Sequence, residues 1–220
     1  MHRLPLPFLL VSLAAFGLAG CEIIPAAKPD PTQFYVLSVP AIPTTREAVP
    51  PGAQIRLGLR PLTLPGYLSN TKNLVVRRGT NAVTYLTFDR WAENLDLGAG
   101  RLIAQRLAAS ARVSGVETYP FDRAIDRDYD LSIDIERCEG QIDTAGNAIA
   151  LVVLHYEITT AGAGGKIVAQ GTLAPAGQAW DGRDANALAA ALSQTLLHAA
   201  DGLVAELPAK LKQRFTPEDS

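Results

Sequence analysis

Two cysteines, three histidines and a row of acidic side chains are the residues of this 220-residue chain that could carry chemistry. Cys21 follows Leu18-Ala19-Gly20 and closes an apolar run over residues 4–18, itself preceded by Arg3. A basic start, an apolar stretch shorter than the about 20 residues of a membrane span, and small residues at its end are the parts of a secretory signal peptide. The other candidates form no set. His155 and His198 stand alone, and neither Cys-x-x-Cys nor His-Glu-x-x-His occurs, so a metal site would lack its three or four ligands. Asp128, Asp130, Asp134 and Glu136 suggest calcium binding or paired-carboxylate catalysis. They alternate with Tyr129, Leu131, Ile133 and Ile135, however, which makes them the solvated or partner-facing side of a strand, and the loop pattern of calcium sites is absent. Gly162-Ala163-Gly164-Gly165-Lys166 has Ile167 where a phosphate loop needs Ser or Thr, and it reads as a hairpin turn. Gly98-Ala99-Gly100 lies inside a helical pattern, not after a strand as a dinucleotide fingerprint would. Cys138, beside Glu139, has no nucleophile context and reads as an inert core thiol. No catalytic residue, cofactor site or metal site is therefore expected.

Leu18-Ala19-Gly20-Cys21 resembles the lipobox of bacterial lipoproteins, which implies cleavage before Cys21 and acylation of its sulfur and new amino group. An ordinary signal peptide that happens to hold a cysteine, or a buried N-terminal helix, is the alternative. Each buried methylene of an acyl chain contributes about 0.8 kcal/mol, so two or more chains hold a protein stably on its membrane. In the bacterial sorting rule an aspartate after the cysteine retains a lipoprotein in the inner membrane. Glu22 stands there instead, and the periplasmic face of the outer membrane is the expected location.

Removing residues 1–20 takes Arg3 from the 20 cationic side chains and none of the 22 anionic ones, moving the formal net charge from −2 to −3. There is no polybasic patch to track phosphates, which argues against nucleic acid as a partner. The mature length suits one domain of about 100–200 residues. With Cys21 committed to lipid, Cys138 has no partner for a disulfide, and the fold must rest on its apolar core.

These residues have to be positioned by the rest of the chain. Residues 21–32, rich in proline, read as an extended tether from Cys21, and residues 33–211 as the body. A charged tail fills residues 212–220. Strands are expected over residues 34–39 and 54–59, with a long loop marked by Pro43, Pro50, Pro51 and Gly52 between them. Residues 73–78 and 82–87 read as a hairpin across Gly79-Thr80-Asn81. Asp89 is placed to cap a helix from Arg90 whose buried stripe is Trp91, Leu95, Ala99, Leu102, Ile103 and Leu107. Gly98 and Gly100 in it imply close packing on a sheet or a break near the middle. Strands follow over residues 128–136, 148–159 and 166–173. Asp184 then caps a second helix with the stripe Leu188, Leu192, Leu196, Ala199, Leu203 and Leu207. This order predicts a single α+β domain, a mixed, largely antiparallel sheet with two main helices on one face.

Phe34-Tyr35-Val36-Leu37 after the tether, Leu64-Pro65-Gly66-Tyr67-Leu68 before the hairpin, Arg90-Trp91-Ala92-Glu93 and Asp128-Tyr129-Asp130-Leu131 occur in that order. Together they resemble the ABC-type transport auxiliary lipoprotein family, the PqiC-like lipoproteins, over residues 34–207. The resemblance implies a membrane-anchored periplasmic accessory of transport systems built on MCE-domain proteins, which move lipid between the two bacterial membranes. It brings no catalytic residues. An adaptor that docks an MCE-domain protein or other envelope-spanning component is the first reading, and a lipid carrier with its own apolar cavity the second. An envelope hydrolase is the third, for which the sequence names no nucleophile, base and orienting group. Association of the chain with copies of itself is left open.

Overall fold

The computed structural model describes residues 28–38, 54–162 and 164–208. The expected signal peptide, Cys21, the first part of the expected tether, the proline-rich loop and the charged tail lie outside the described residues. The chain divides into Met1–Pro31 and Thr32–Ser220. Of the first unit, residues 28–31 are described, exposed and without regular structure.

In chain order the second unit runs β1 (Gln33–Tyr35), β2 (Ile55–Leu59), the single helical turn α1 (Gly66–Ser69), β3 (Asn73–Arg78), β4 (Ala82–Trp91), α2 (Leu95–Ala108), β5 (Val113–Thr118), β6 (Tyr129–Ile142), β7 (Ala148–Thr160), β8 (Ile167–Leu173), β9 (Gln178–Ala179) and α3 (Ala185–Glu206). The antiparallel hairpin β6–β7, paired from Tyr129↔Thr160 to Ile142↔Ala148, is its spine. The other edge of β6 receives two strands in parallel, β2 at Tyr129–Leu131 and β3 at Gly140–Ile142. Thr63 bridges to Asp134 between them. Beyond β2 lies β5, and beyond β3 lie β4 and then β1; β8 and β9 flank β7. The result is an open, mixed, α+β sheet in which antiparallel ladders carry most of the paired residues.

Both long helices cover one face. Leu188, Leu192, Leu196 and Leu203 of α3 and Leu95, Ala99, Leu102, Ile103 and Leu107 of α2 are buried with Leu131, Ile133, Ile135, Val152 and Leu154 of the spine. α3 starts as its sequence dictates: the Asp184 carboxylate accepts from the Asn186 N–H at 2.8 Å, satisfying a donor that the first helical turn cannot. At its other end the Arg112 guanidinium donates to the carbonyls of Val204, Ala205 and Leu207, where the last turn leaves acceptors free. By length and apolar composition α3 would cross a membrane, but its apolar positions are spent on the sheet.

The first helix begins later than its periodicity suggests. Residues 89–91 are the end of β4, held by parallel pairing with β1, and Asn94 precedes the helix; Asp89 accepts from the Tyr35 hydroxyl instead of capping. Trp91 and Leu95 fit helical spacing, but strand pairing satisfies the backbone of Trp91 first. Gly98 and Gly100 do not break α2. A Cβ on Gly98 would lie 3.2 Å from Glu93 Oε1 and one on Gly100 3.4 Å from Leu62 Cδ1, so both glycines sit in an unbroken helix against residues outside the strands and not on the sheet itself. Strand β9 and the turn α1 carry too short a pattern to be expected, β5 lacks a buried alternation because only Val113 in it is buried, and β1 is shorter than residues 34–39.

Candidate functional site

The helix-free face of the sheet gathers the polar side chains, and a bulge decides which ones. Along β6, Tyr129, Leu131, Ile133 and Ile135 face the helices. The register then slips at Glu136, so that Arg137 pairs with Val153 directly after Ile135 pairs with Leu154. One extra residue inverts the side-chain parity. From there Cys138 and Gly140 face inward, and a Cβ on Gly140 would come within 3.1 Å of Leu188 and Trp180. Asp130, Asp134, Arg137, Glu139 and Gln141 accordingly share the helix-free face.

Two carboxylates on it are buried. Asp130, 2% exposed, accepts from Arg60 Nη2 and Arg127 Nε, each at 3.0 Å. Arg127 also reaches Glu117 at 3.3 Å and lies 3.9 Å over the Phe121 ring. Glu139 is fully buried, receives Arg77 Nε at 2.6 Å and Nη2 at 3.3 Å, and holds Arg137 at 2.8 Å. Buried carboxylates persist where planar guanidinium groups satisfy their oxygens. Burial and the Glu139 charge push the Tyr67 phenol up to about 12, while the Arg77 guanidinium lies 5.5 Å over its ring. Gly58 leaves room for the first cluster: a Cβ there would stand 2.7 Å from Asp130 Oδ1 and 2.8 Å from the Arg127 side chain.

The expectation of a solvated or partner-facing acidic row holds for exposed Asp134 and Glu136 and is corrected at Asp130, which is buried. Asp128 accepts from the Arg56 N–H at 2.7 Å, Asp130 is locked between arginines, Asp134 accepts from Thr63 at 3.0 Å, and only Glu136 reaches toward a histidine. The arginines 60, 77, 127 and 137 and Glu139 went unread in the sequence. Alternation marks the face on which such residues stand but is silent on partners up to 72 positions away.

A groove of about 710 Å³ opens on this face, lined among others by Arg60, Thr63, Asp134, His155, Gln170 and Thr172. In it the His155 ring nitrogens lie 2.7 Å from the Thr172 hydroxyl and 3.0 Å from the Glu136 carboxylate. The structure thus brings together a hydroxyl, an imidazole and a carboxylate that the sequence does not connect. His155 and Glu136 are half exposed, so the set is an open cross-strand ladder of mutually satisfied polar groups. A second groove, of about 410 Å³, lies between α2 and the ends of β2 and β5, with Leu59, Pro61, Leu62, Leu97, Ala104 and Tyr119 along it. His198 stands apart on α3. Among the described residues no three His, Cys, Asp or Glu side chains are grouped to hold a metal ion. Cys138 is 2% exposed, in the core as expected, and burial pushes its thiol up to about 12.

Comparison with solved structures finds the same fold in a Xanthomonas campestris protein assigned to family DUF330, at 18% identity and a TM-score of 0.63 over 78% of this chain and 92% of that one. An uncharacterized protein follows at 14% identity and a TM-score of 0.57, over 79% and 97%. The PelC dodecamer of Paraburkholderia phytofirmans superposes at a TM-score of 0.39, with 17% identity over 78% of this chain and 96% of its own. No curated protein matches the sequence. Residues 35–204, which hold the spine hairpin, both arginine-clamped carboxylates and nearly all of α3, match the family model described as ABC-type transport auxiliary lipoprotein component, and the chain belongs to that family.

Proposed function

We propose that the protein is the auxiliary, adaptor component of an MCE-type, ABC-linked system that moves lipid between membranes, anchored through Cys21 to the periplasmic face of the outer membrane. The family match over residues 35–204 carries the reading. The Leu18-Ala19-Gly20-Cys21 motif and Glu22 support the anchor and its membrane. How the apolar residues are used supports an adaptor: the two helical stripes fill the space over the sheet, and the larger groove mixes charged and polar side chains with Pro61, Ile133 and Tyr156 rather than forming an apolar cavity. An adaptor acts by surface and needs no nucleophile, and none is assigned here.

The anchor is tested by Cys21→Ala in the full chain. The variant should leave the outer-membrane fraction, and its retention there after high-salt washing would refute lipidation. The partner is tested by pull-down from solubilised membranes with mass spectrometry; recovery of an MCE-domain protein is the expected result, and consistent recovery of no transport component would refute the adaptor. The mostly apolar groove beside Leu97 and Tyr119 favours a second reading, a carrier that holds lipid itself. Native mass spectrometry of detergent-free protein separates the two, because stoichiometric phospholipid would establish the carrier.

A further inference from the structure

We infer that the β1–β4 edge of the sheet rests on the lipid surface, with Phe34, Val36 and Phe88 entering its interfacial layer. The inference builds on the anchor at Cys21. These three side chains are 65%, 54% and 50% exposed. Phe34 pairs with Arg90, and Phe88 lies two residues before Arg90, so the two phenylalanines leave the strand pair on one side, with exposed Val36 just past the end of β1. Tyr35, Asp89 and Trp91 occupy the other side, where the Tyr35 hydroxyl donates to Asp89 and Trp91 is buried. Scattered exposed apolar residues are ordinary, but two phenylalanines and a valine gathered on one edge mark a contact surface.

The place of this cluster along the chain identifies what it meets. Twelve residues separate Cys21 from Phe34. In an extended proline-rich conformation they span roughly 37 Å, little more than the width of a domain whose radius of gyration is about 16 Å. A body held on that length stays against its membrane, and β1 is the first element the tether reaches. Aromatic rings settle at the level of the lipid headgroups, and basic groups beside them favour anionic lipid. Exposed Arg90 shares the side of Phe34, and Lys72, whose carbonyl accepts from the Trp91 N–H, is exposed nearby. A protein strand added to β1 would find only the three residues Gln33–Tyr35 to pair with, a poor template for augmentation. Lipid, which asks for side chains and no backbone ladder, fits the edge better.

The test uses the full lipidated chain on vesicles of phosphatidylethanolamine and phosphatidylglycerol. Phe34→Cys, Phe88→Cys and Val168→Cys variants are labelled with an environment-sensitive dye; Cys138 is buried and Cys21 is acylated, so the introduced thiol takes the label. Val168 lies on β8, at another edge of the sheet. Dye at positions 34 and 88 should shift its emission to shorter wavelength and lose quenching by iodide when the protein floats with vesicles, while dye at 168 keeps both. Floating protein whose dye at 34 and 88 is quenched as fully as at 168 would overturn the inference and leave the anchor standing. Failure to float would refute the anchor and the inference with it. Protection of position 34 without vesicles, in a Cys21→Ala background, would give the patch to a second copy of the chain and also overturn it.

Discussion

Replacing Glu139 by Gln keeps the shape of a buried side chain and removes its charge from between Arg77 and Arg137. The carboxylate, itself fully buried, receives three guanidinium contacts, at 2.6, 2.8 and 3.3 Å. Breaking a buried ion pair by removing one partner costs about 3–5 kcal/mol, because the remaining charge is stranded. Here the arginine side chains retain 18% and 24% exposure, and Gln141 still accepts from Arg137 at 3.1 Å. Relaxation of both toward water lowers the expected loss to about 2–3 kcal/mol. For a body of this size that is a fall of roughly 5–10 °C in melting temperature, read by circular dichroism or calorimetry. A second readout is specific to the cluster. The Glu139 charge is one of the causes that hold the Tyr67 phenol high, so the variant should titrate Tyr67 at lower pH in an ultraviolet absorbance titration. A melting temperature within about 1 °C of the parent, with an unmoved tyrosine titration, would show that the arginines do not depend on Glu139 and refute the reasoning.

Gly58→Ala should cost about 1–3 kcal/mol by chemical denaturation, since its Cβ would meet Asp130 Oδ1 at 2.7 Å and Arg127 at 2.8 Å; an unchanged midpoint would mean that the cluster moves aside freely. Cys138 should resist iodoacetamide at pH 8 in the folded protein and react once denatured, because burial pushes its thiol up to about 12; rapid native labelling would contradict this. Hydrogen bonds from the Asn147 side chain and backbone hold the Asp143 carboxyl below its ordinary value. A depressed folded pKa stabilises above the unfolded value, and that contribution disappears as pH falls through the folded one. Asp143→Asn should therefore flatten the acid limb of a stability-against-pH curve, and an unaltered limb would discount the turn.

Much of this architecture is written locally. The stripes of α2 and α3 recur at three and four residues, Asp184 stands where a helix needs a cap, and the alternation through Tyr129, Leu131, Ile133 and Ile135 reports one buried face; each is a short-range property that no partner can alter much. The Leu18-Ala19-Gly20-Cys21 motif is local too, being legible without reference to the rest of the chain. What the sequence left undetermined is decided by contacts between distant residues. Strand pairing with β1 extends β4 through Trp91 against a helical period, since a paired backbone outweighs a spacing preference. The bulge at Glu136 inverts the second half of β6 and sends Glu139 to the helix-free face, because the longer partner must keep register with β7 at both ends. Arg60, Arg77 and Arg127 become the partners of two buried carboxylates only when β2, β3 and the segment before β6 converge on the spine. Charge and burial are then set by neighbours that lie far off in the chain, and an isolated stretch of residues holds no record of them.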